Sequence, residues 1–207
     1  MRRRLRSGDL PALGARLREL EEEWRGRRLD SDPLLFPHRY ARQEDREVVA
    51  FLAASLAFGR VASIRATLER LLAALGPRPA ERLAKRGGEV PGLDGFVHRW
   101  VDAGSLRPFF RALGLTLRSE GSLEALFAAG DRGEDDYVPA LDRLFSVLRE
   151  RTDVGVAEAP RGLRFLLPAP ADGSACKRAH LFLRWAVRAE GHALGLWRGG
   201  LPRPARL

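Results

Sequence analysis

Apolar residues recur every three or four positions along most of the chain, and no stretch alternates between apolar and polar residues for long. A repeat of this period places apolar side chains on one side of a helix, whereas alternation would indicate a strand. The pattern therefore predicts an all-α fold, with glycine, proline and short polar turns between the helices. We place the helices at residues 9–25, 44–58, 63–75, 79–85, 95–101, 106–117, 122–129, 134–149 and 174–188.

The chain divides into a short amphipathic start and a longer helical domain. The first predicted helix has its leucines on one side and its glutamates and arginines elsewhere. The N-terminal region that contains this amphipathic helix is assigned to residues 1–29. Residues 30–207 are assigned to one helical domain. The longest apolar run, residues 48–58, is too short to cross a bilayer and is predicted as a buried core helix. Ser122 is predicted to cap a later helix, and residues 30–37 and 151–162 are predicted as loops.

The composition is that of a globular protein with an unusual charge. Of the 207 residues, 45% are hydrophobic and 30% are charged, and the formal net charge is +9. Such an excess favours a polyanionic partner, most simply nucleic acid. An arginine-rich coding bias would also raise the charge without any partner. Cations that cluster on one surface would indicate a polyanionic partner, whereas scattered cations would indicate coding bias.

Cysteine and histidine usage narrows the compartment and the chemistry. The single cysteine excludes an intramolecular disulfide and is typical of a reducing cytoplasm. The four histidines are scattered without the spacing of a metal site, so we expect neither a metal nor another cofactor. The basic N-terminus is not followed by the apolar stretch of an export signal. We therefore expect a cytoplasmic protein that does not associate with a membrane.

Lysine is rare in this chain. Only two lysines occur among the 36 basic residues, and one of them, Lys177, follows the only cysteine. Arginine can replace lysine as a surface charge but not as an amine nucleophile. At the start of a helix the positive end of the dipole disfavours the ammonium form, which leaves an amine that can attack carbon. A chance surface lysine is the alternative, and composition alone favours it. Lys85 complements the negative end of a predicted helix, and Cys176 is interpreted as a small buried residue.

The last predicted helix combines an apolar stripe with a basic side. Ser174 is expected to cap this helix, and Gly173 allows the backbone to approach a ligand, so that free N–H groups face a phosphate. An ordinary amphipathic helix with a solvated basic side is the alternative. Trp185 and Trp197 are predicted as core residues rather than base-stacking platforms. The candidate DNA-binding residues are Gly173, Ser174, Arg178, Arg184 and Arg188.

Residues 166–188, which include the run Gly-Ser-Ala-Cys-Lys-Arg at 173–178, closely resemble the signature of an uncharacterised bacterial protein family. The segments 37–60, 96–100, 121–124 and 195–197 carry the same resemblance. The family in turn resembles the helix-hairpin-helix DNA glycosylases, which implies a multi-helix fold of that type. The resemblance also implies a catalytic role for Lys177. In the bifunctional glycosylases, a lysine at the matching position attacks C1′ of an extruded nucleotide and forms a Schiff base.

Two departures from the glycosylase pattern weigh against activity. Relatives continue into a Leu-Asp-Thr-His type segment whose aspartate stabilises positive charge on the sugar, and this chain has no such segment. Ala193 stands where relatives usually carry an acidic residue. We therefore expect a fold that is incomplete at its C-terminus and a Lys177 without its acid partner. Asp172 is interpreted as a turn residue and not as the missing acid. A non-catalytic nucleic-acid-binding domain and a protein-interaction domain are the alternative hypotheses.

Overall fold

The computed structural model describes residues 10–25, 32–133, 136–155 and 157–197. Within these ranges the chain forms ten α-helices and one hairpin of two short strands, β1 (Val97–His98) and β2 (Val101–Asp102), so that the predicted mainly helical fold is confirmed. The helices are α1 (Leu10–Arg25), α2 (Leu35–His38), α3 (Gln43–Ser55), α4 (Val61–Leu75), α5 (Pro79–Lys85), α6 (Ala103–Glu120), α7 (Leu123–Ala128), α8 (Val138–Glu150), α9 (Arg161–Leu166) and α10 (Lys177–Val187).

The long periodic segments form the helices that the sequence predicts. α5 has the predicted bounds, and α6 extends beyond its predicted ends on both sides. The Ser122 hydroxyl accepts the Ala125 N–H at 3.0 Å, which confirms the predicted cap of α7. α1 is helical as predicted, and its apolar residues Leu10 and Leu17 are 55% and 56% exposed. The sequence pattern thus predicts the helical conformation of α1 correctly, although Leu10 and Leu17 are not buried in the structure.

The helix predicted at residues 95–101 is wrong, because this segment carries the hairpin. β1 pairs antiparallel with β2, and Val97 lies opposite Asp102. Arg99 turns the chain with a left-handed φ of 56°, which a helix cannot contain. His98 is buried while Val97 is exposed, as expected of neighbouring positions on a strand. The alternation covers too few residues to stand out from a helical repeat.

Two short helices lie where loops were predicted. α2 falls at the end of the predicted loop 30–37, and α9 begins inside the predicted loop 151–162. Each has at most six residues, so that too few apolar positions define its period. α8 begins at Val138 rather than at the predicted residue 134. Pro139 then lies in the first turn, a position that suits proline. Residues 134 and 135 lie outside the described ranges.

α3 lies at the centre of the core. Residues 48–54 are at most 2% exposed, as predicted, but α3 ends at Ser55 rather than at residue 58, and Ala57 and Phe58 are only partly buried. α2, α5 and α10 pack against α3. The Phe51 ring stacks on Phe109 of α6 and meets Phe182 of α10 edge-on, with ring centroids 5.1 Å apart in the second pair. Burial of each such ring stabilises the fold by about 1.5–3 kcal/mol, so the helix that carries the predicted site is anchored to the core.

Two buried carboxylates on α3 cap other helices. Asp45 accepts a backbone N–H from the first turn of α5 at 2.9 Å. Glu47 accepts the N–H groups of Leu123 and Glu124 at the start of α7, and Trp197 Nε1 donates to it at 2.6 Å. Burial raises the pKa of Glu47, while these three donors act in the opposite direction. Trp197 is 3% exposed and is a core residue as predicted.

α5 and α6 approach each other closely at two glycines. Gly88 follows α5 with φ 86°, and a Cβ there would lie 2.1 Å from the Phe110 carbonyl oxygen on α6. Gly114 on α6 faces the same contact, since its Cβ would lie 2.4 Å from the Gly88 nitrogen. Only glycine fits both positions without a backbone shift. The contact fixes the end of α5 against the middle of α6.

Candidate functional site at the start of the last helix

Several predicted site residues lie on the connection between α9 and α10. After α9 the chain passes through a 3-10 turn, Pro170–Asp172, and then enters α10 at Lys177. Asp172 is therefore a turn residue, as predicted. Gly173 follows with φ 73°, and a Cβ there would meet no atom within 4 Å. The left-handed backbone, and not close packing, requires glycine at this position.

Side chains of α8 hold this connection in place. Arg149 donates from Nε to the Leu167 carbonyl at 2.9 Å and from Nη2 to the Asp172 carboxylate. The hydrogen bond from Arg149 holds the pKa of Asp172 below its ordinary value. The Ala171 N–H donates to Asp142 at 2.9 Å. Asp172 thus belongs to a structural ion pair.

α10 begins directly after a residue with left-handed backbone geometry. Cys176 has φ 43° and ψ 36°, a conformation that costs a non-glycine residue about 1–2 kcal/mol. Its side chain is buried, as predicted, and burial raises the pKa of the thiol. The predicted capping role of Ser174 is wrong: its hydroxyl accepts the Cys176 N–H at 3.2 Å, within the loop. Because α10 starts three residues later than predicted, Ser174 lies outside capping range, and no side chain caps the helix.

Lys177 is the first residue of α10, in agreement with its predicted position at a helix start. Its side chain is exposed. Among the described residues the Lys177 ammonium makes no hydrogen bond and no ion pair. The other lysine, Lys85, contacts Glu81 at 2.6 Å within the last turns of α5. The two lysines therefore differ in the way that matters for chemistry, because only the charge of Lys85 has a protein partner in this part of the structure.

A cavity of about 470 Å³ opens beside Lys177. This volume falls in the range of about 300–1,000 Å³ that is usual for small-ligand sites. The entry to α10 contributes Ser174, Cys176 and Lys177 to its lining, and α9 and the residues before it contribute another part. Arg164 on α9 lines the cavity, is exposed, and has no side-chain hydrogen bond or ion pair within the described ranges. The cavity therefore presents two cations that are available to an anion.

Arg178 lines the same cavity but is largely committed to the protein. Its Nη2 donates to the Phe165 carbonyl, and its guanidinium lies 3.5 Å from the centroid of the Phe165 ring. Arg178 is half-buried, and burial lowers its pKa. Arg178, predicted from the sequence as a phosphate contact, also holds α9 and α10 together through Phe165, and the sequence did not indicate this structural role. The aromatic cluster around it extends to Phe58 and Trp100, which pack against Phe165 at 4.6 and 5.0 Å between centroids.

Arg184 and Arg188 do not line the cavity. Arg184 is exposed two turns beyond Lys177, about 10 Å along the helix axis. Arg188 is half-buried at the end of α10, where its carbonyl accepts the Gly195 N–H at 2.7 Å. Trp185 between them is 6% exposed, as predicted for a core residue. The predicted basic side of α10 therefore divides into a group at the cavity and separate cations further along the helix.

Sequence reasoning did not identify Arg149, Arg164 or Phe165 as part of the site. Arg164 and Phe165 lie on α9, which was not predicted as a helix. The sequence therefore contained no signal that these two side chains line the cavity. Arg149 is distant in sequence from the loop that it holds, and an arginine on an amphipathic helix is indistinguishable from any other surface arginine in this arginine-rich chain.

A family model described as a protein of unknown function, DUF2400, matches residues 32–205. The chain belongs to the DUF2400 family. The predicted membership of an uncharacterised family is thereby confirmed, and the match covers every described residue that lines the cavity. No curated protein and no solved structure matches the chain. For this DUF2400 protein the chemistry of the site therefore carries the functional argument.

The DUF2400 cavity offers donors and cations to a ligand. It presents the Lys177 ammonium, the Arg164 guanidinium and the N–H groups in the uncapped first turn of α10. In the described ranges no group of three histidine, cysteine, aspartate or glutamate residues is placed to hold a metal ion. Across the same ranges, none of the helices combines the length and the hydrophobicity needed to cross a membrane. The arrangement suits an anionic ligand.

Proposed function

We propose that this protein binds DNA at the cavity and that Lys177 forms a Schiff base with C1′ of an abasic sugar. The placement of Lys177 carries the proposal. Its amine is exposed, has no partner among the described residues, begins an uncapped helix and lines a cavity of ligand size. A Schiff base requires a primary amine, which arginine cannot supply.

The start of α10 and Arg164 support recognition of a phosphate next to the sugar. The first N–H groups of a helix have no acceptor within the helix, and no side chain caps α10. Backbone amides at the positive end of the helix dipole are well suited to bind a phosphate oxygen. Arg164 on α9 adds a guanidinium to the lining of the same cavity. A phosphate held between them would present the neighbouring sugar to Lys177.

The apolar wall of the cavity supports an extruded nucleotide in place of a simple anion. Leu163, Phe165 and Pro168 line it together with the cations. Enzymes that act on one nucleotide of a duplex take it out of the stack into such a pocket, and an abasic nucleotide costs least because it has no base to unpair. The carbon atoms of the abasic sugar can contact these apolar groups, whereas an inorganic phosphate has no carbon atoms that could do so.

The chemistry of Lys177 favours an abasic sugar over a nucleotide that retains its base. On an abasic site, the Lys177 Nζ lone pair adds to the C1′ aldehyde carbon. The two amine protons pass to the carbonyl oxygen, which leaves as water, and a C1′=N double bond remains. No base departs, so this step has no need of a carboxylate to stabilise a positively charged sugar. Asp172 is the one carboxylate among the lining residues, and it is paired with Arg149.

The proposal agrees with the resemblance of residues 166–188 to the helix-hairpin-helix glycosylases. α9 and α10 are consecutive helices joined by residues 167–176, and Lys177 is the first residue of the second one. This arrangement supports a relationship of the whole domain to that superfamily. We also propose a cytoplasmic location, which the single cysteine predicts.

Borohydride trapping tests the role of Lys177. Wild-type protein is mixed with a duplex that carries one abasic site, reduced, and separated under denaturing conditions. We expect a covalent complex with wild type and with the control Lys85→Ala, since Lys85 is the only other lysine and pairs with Glu81. We expect none with Lys177→Ala or Lys177→Arg. Equal trapping by Lys177→Ala would refute the proposal, and peptide mapping would then identify the amine involved.

DNA affinity distinguishes catalysis from binding alone. Lys177→Arg keeps a cation at the cavity, so we expect its dissociation constant for the same duplex to stay within about twofold of wild type. A protein that binds this duplex but forms no trapped complex would support the non-catalytic alternative. A protein without DNA affinity at physiological salt would favour the protein-interaction alternative.

A further inference from the structure

A second groove, rich in arginine, lies beside the Lys177 cavity. It has a volume of about 850 Å³ and runs between the end of α5, the loop that follows α5, and one side of α6. Its acidic residues are Glu89 and Asp153. Five arginines line it: Arg82, Arg86, Arg107, Arg111 and Arg118.

The periodicity of α6 aligns three of these arginines. Positions 107, 111 and 118 are separated by four and seven residues, which places them on one side of the helix. They span about 16 Å along the axis, at 1.5 Å per residue. Arg82 and Arg86 are four residues apart at the end of α5, and the Gly88–Gly114 contact holds that end against α6. The arginines are thus fixed on two packed elements.

Most of this charge is not neutralised inside the groove. Arg107 pairs with Asp94 and Arg111 with Asp153, and these carboxylates are 92% and 79% exposed. Exposed pairs of this kind contribute little and are readily exchanged. Among the described residues, the side chains of Arg82, Arg86 and Arg118 have no hydrogen-bond or ion-pair partner. The buried Nε of Arg82 is therefore a donor without an acceptor in this part of the protein.

The groove and the Lys177 cavity meet at Thr152. Thr152 lines both, with Val154 on the side of the cavity and Asp153 on the side of the groove. Asp153 has φ 61°, a left-handed conformation that turns the chain at this junction. A long ligand could therefore lie in both depressions, with its path crossing residues 152–154.

We propose that this groove is a second DNA-binding site, which takes the phosphate backbone of the duplex whose abasic sugar lies beside Lys177. The inference rests on the proposed function. A row of guanidinium groups matches a row of phosphates, and the span of about 16 Å on α6 corresponds to roughly five base-pair steps of about 3.4 Å. The groove gathers five of the 36 basic residues on one surface, and such a cluster favours a polyanionic ligand.

The salt dependence of DNA binding tests the groove. Affinities are measured by fluorescence anisotropy for an abasic duplex of about 30 base pairs, with salt varied between about 50 and 200 mM. In R86A/R118A two exposed arginines are removed, and in the control R132A/R143A two exposed arginines that line neither depression are removed. Loss of two phosphate contacts should reduce the slope of log affinity against log salt by about 1.8. The control should keep the wild-type slope.

A lysine variant separates charge from folding. R86K/R118K retains both cations, so we expect a slope close to that of wild type, and all variants should show the wild-type unfolding midpoint. Equal slopes for R86A/R118A and the control, with wild-type trapping at Lys177 intact, would overturn the groove proposal and leave the proposed function standing. Absence of DNA binding by wild type would remove the proposed function and the groove together.

Discussion

Glu47→Gln tests how the buried carboxylate on α3 holds the end of the fold that contains the site. One oxygen of Glu47 accepts from Glu124 N at 2.9 Å and from Trp197 Nε1 at 2.6 Å, and the other accepts from Leu123 N at 2.9 Å. Glutamine has nearly the same shape but carries an NH₂ group in place of one oxygen. In the better orientation that group faces the Leu123 N–H, so that two donors meet and neither has an acceptor.

The expected cost follows from these contacts. One hydrogen bond to a charged group is lost, and hydrogen bonds of that kind contribute about 1.5–3 kcal/mol. The other two become neutral and weaker by about 1 kcal/mol each, while removal of the buried charge offsets part of the loss. We expect a net decrease of about 3 kcal/mol in the free energy of unfolding. For a chain of this length that lowers the melting temperature by roughly 6–12 °C.

Urea unfolding followed by far-ultraviolet circular dichroism measures this free energy. Glu44→Gln is the matched control, because Glu44 lies on the same helix with its side chain 52% exposed, and its change should stay within about 0.5 kcal/mol. A Glu47→Gln protein within about 1 kcal/mol of wild type would refute the capping argument. Combined with Trp197→Phe, the double variant should show coupling of at least about 0.5 kcal/mol, since both residues share one hydrogen bond.

Two further predictions concern the hairpin and the contact between α5 and α6. His98 Nε2 donates to the Phe58 carbonyl at 3.0 Å, and burial lowers the pKa of His98 from 6.5. The unfolded chain then takes up a proton more readily, so stability should fall as pH drops below about 6.5, and His98→Gln should flatten that fall in urea titrations. Gly88→Ala would drive a methyl group to 2.1 Å from the Phe110 carbonyl oxygen, and we expect thermal unfolding to show a loss above about 3 kcal/mol. Gly87→Ala, with φ 58° and no atom near its Cβ, should cost only about 1–2 kcal/mol.

Periodicity and capping were sufficient for the long helices of this protein. α5 and the cap at Ser122 follow from local signals, because proline at a helix start and a hydroxyl before a helix act within one turn. The hairpin at 97–102 and the short helices α2 and α9 could not be found in this way. Their structure depends on contacts with distant residues, as when the His98 ring is fixed by Thr67 and by the Phe58 carbonyl.

Only one part of the candidate site, the start of α10 with Lys177, could be predicted from the sequence. Lys177 stood out because it is one of two lysines, and the first position of α10 followed to within three residues from the run that precedes it. The other part depends on α9 and on Arg149, which reach the loop through tertiary packing. The capping error at Ser174 arose in the same way, because the left-handed turn at Cys176 has no sequence signal in a non-glycine residue.

Net charge alone could not separate coding bias from a binding surface, but the contacts of individual arginines show which of them stabilise the fold. Arg149, Arg151 and Arg178 donate to carbonyl, hydroxyl or carboxylate oxygens, and in these positions the guanidinium stabilises the fold. A coding bias alone would scatter arginines without partners over the whole surface. The cations without partners in the described structure include Arg164 and Lys177 at one cavity and three arginines in the groove that adjoins it, and also Arg132 and Arg184, which line neither depression. Like charges gathered in this way repel one another in the free protein. A bound polyanion would relieve that repulsion at the cavity and the groove, as we expect if the proposed DNA binding is correct.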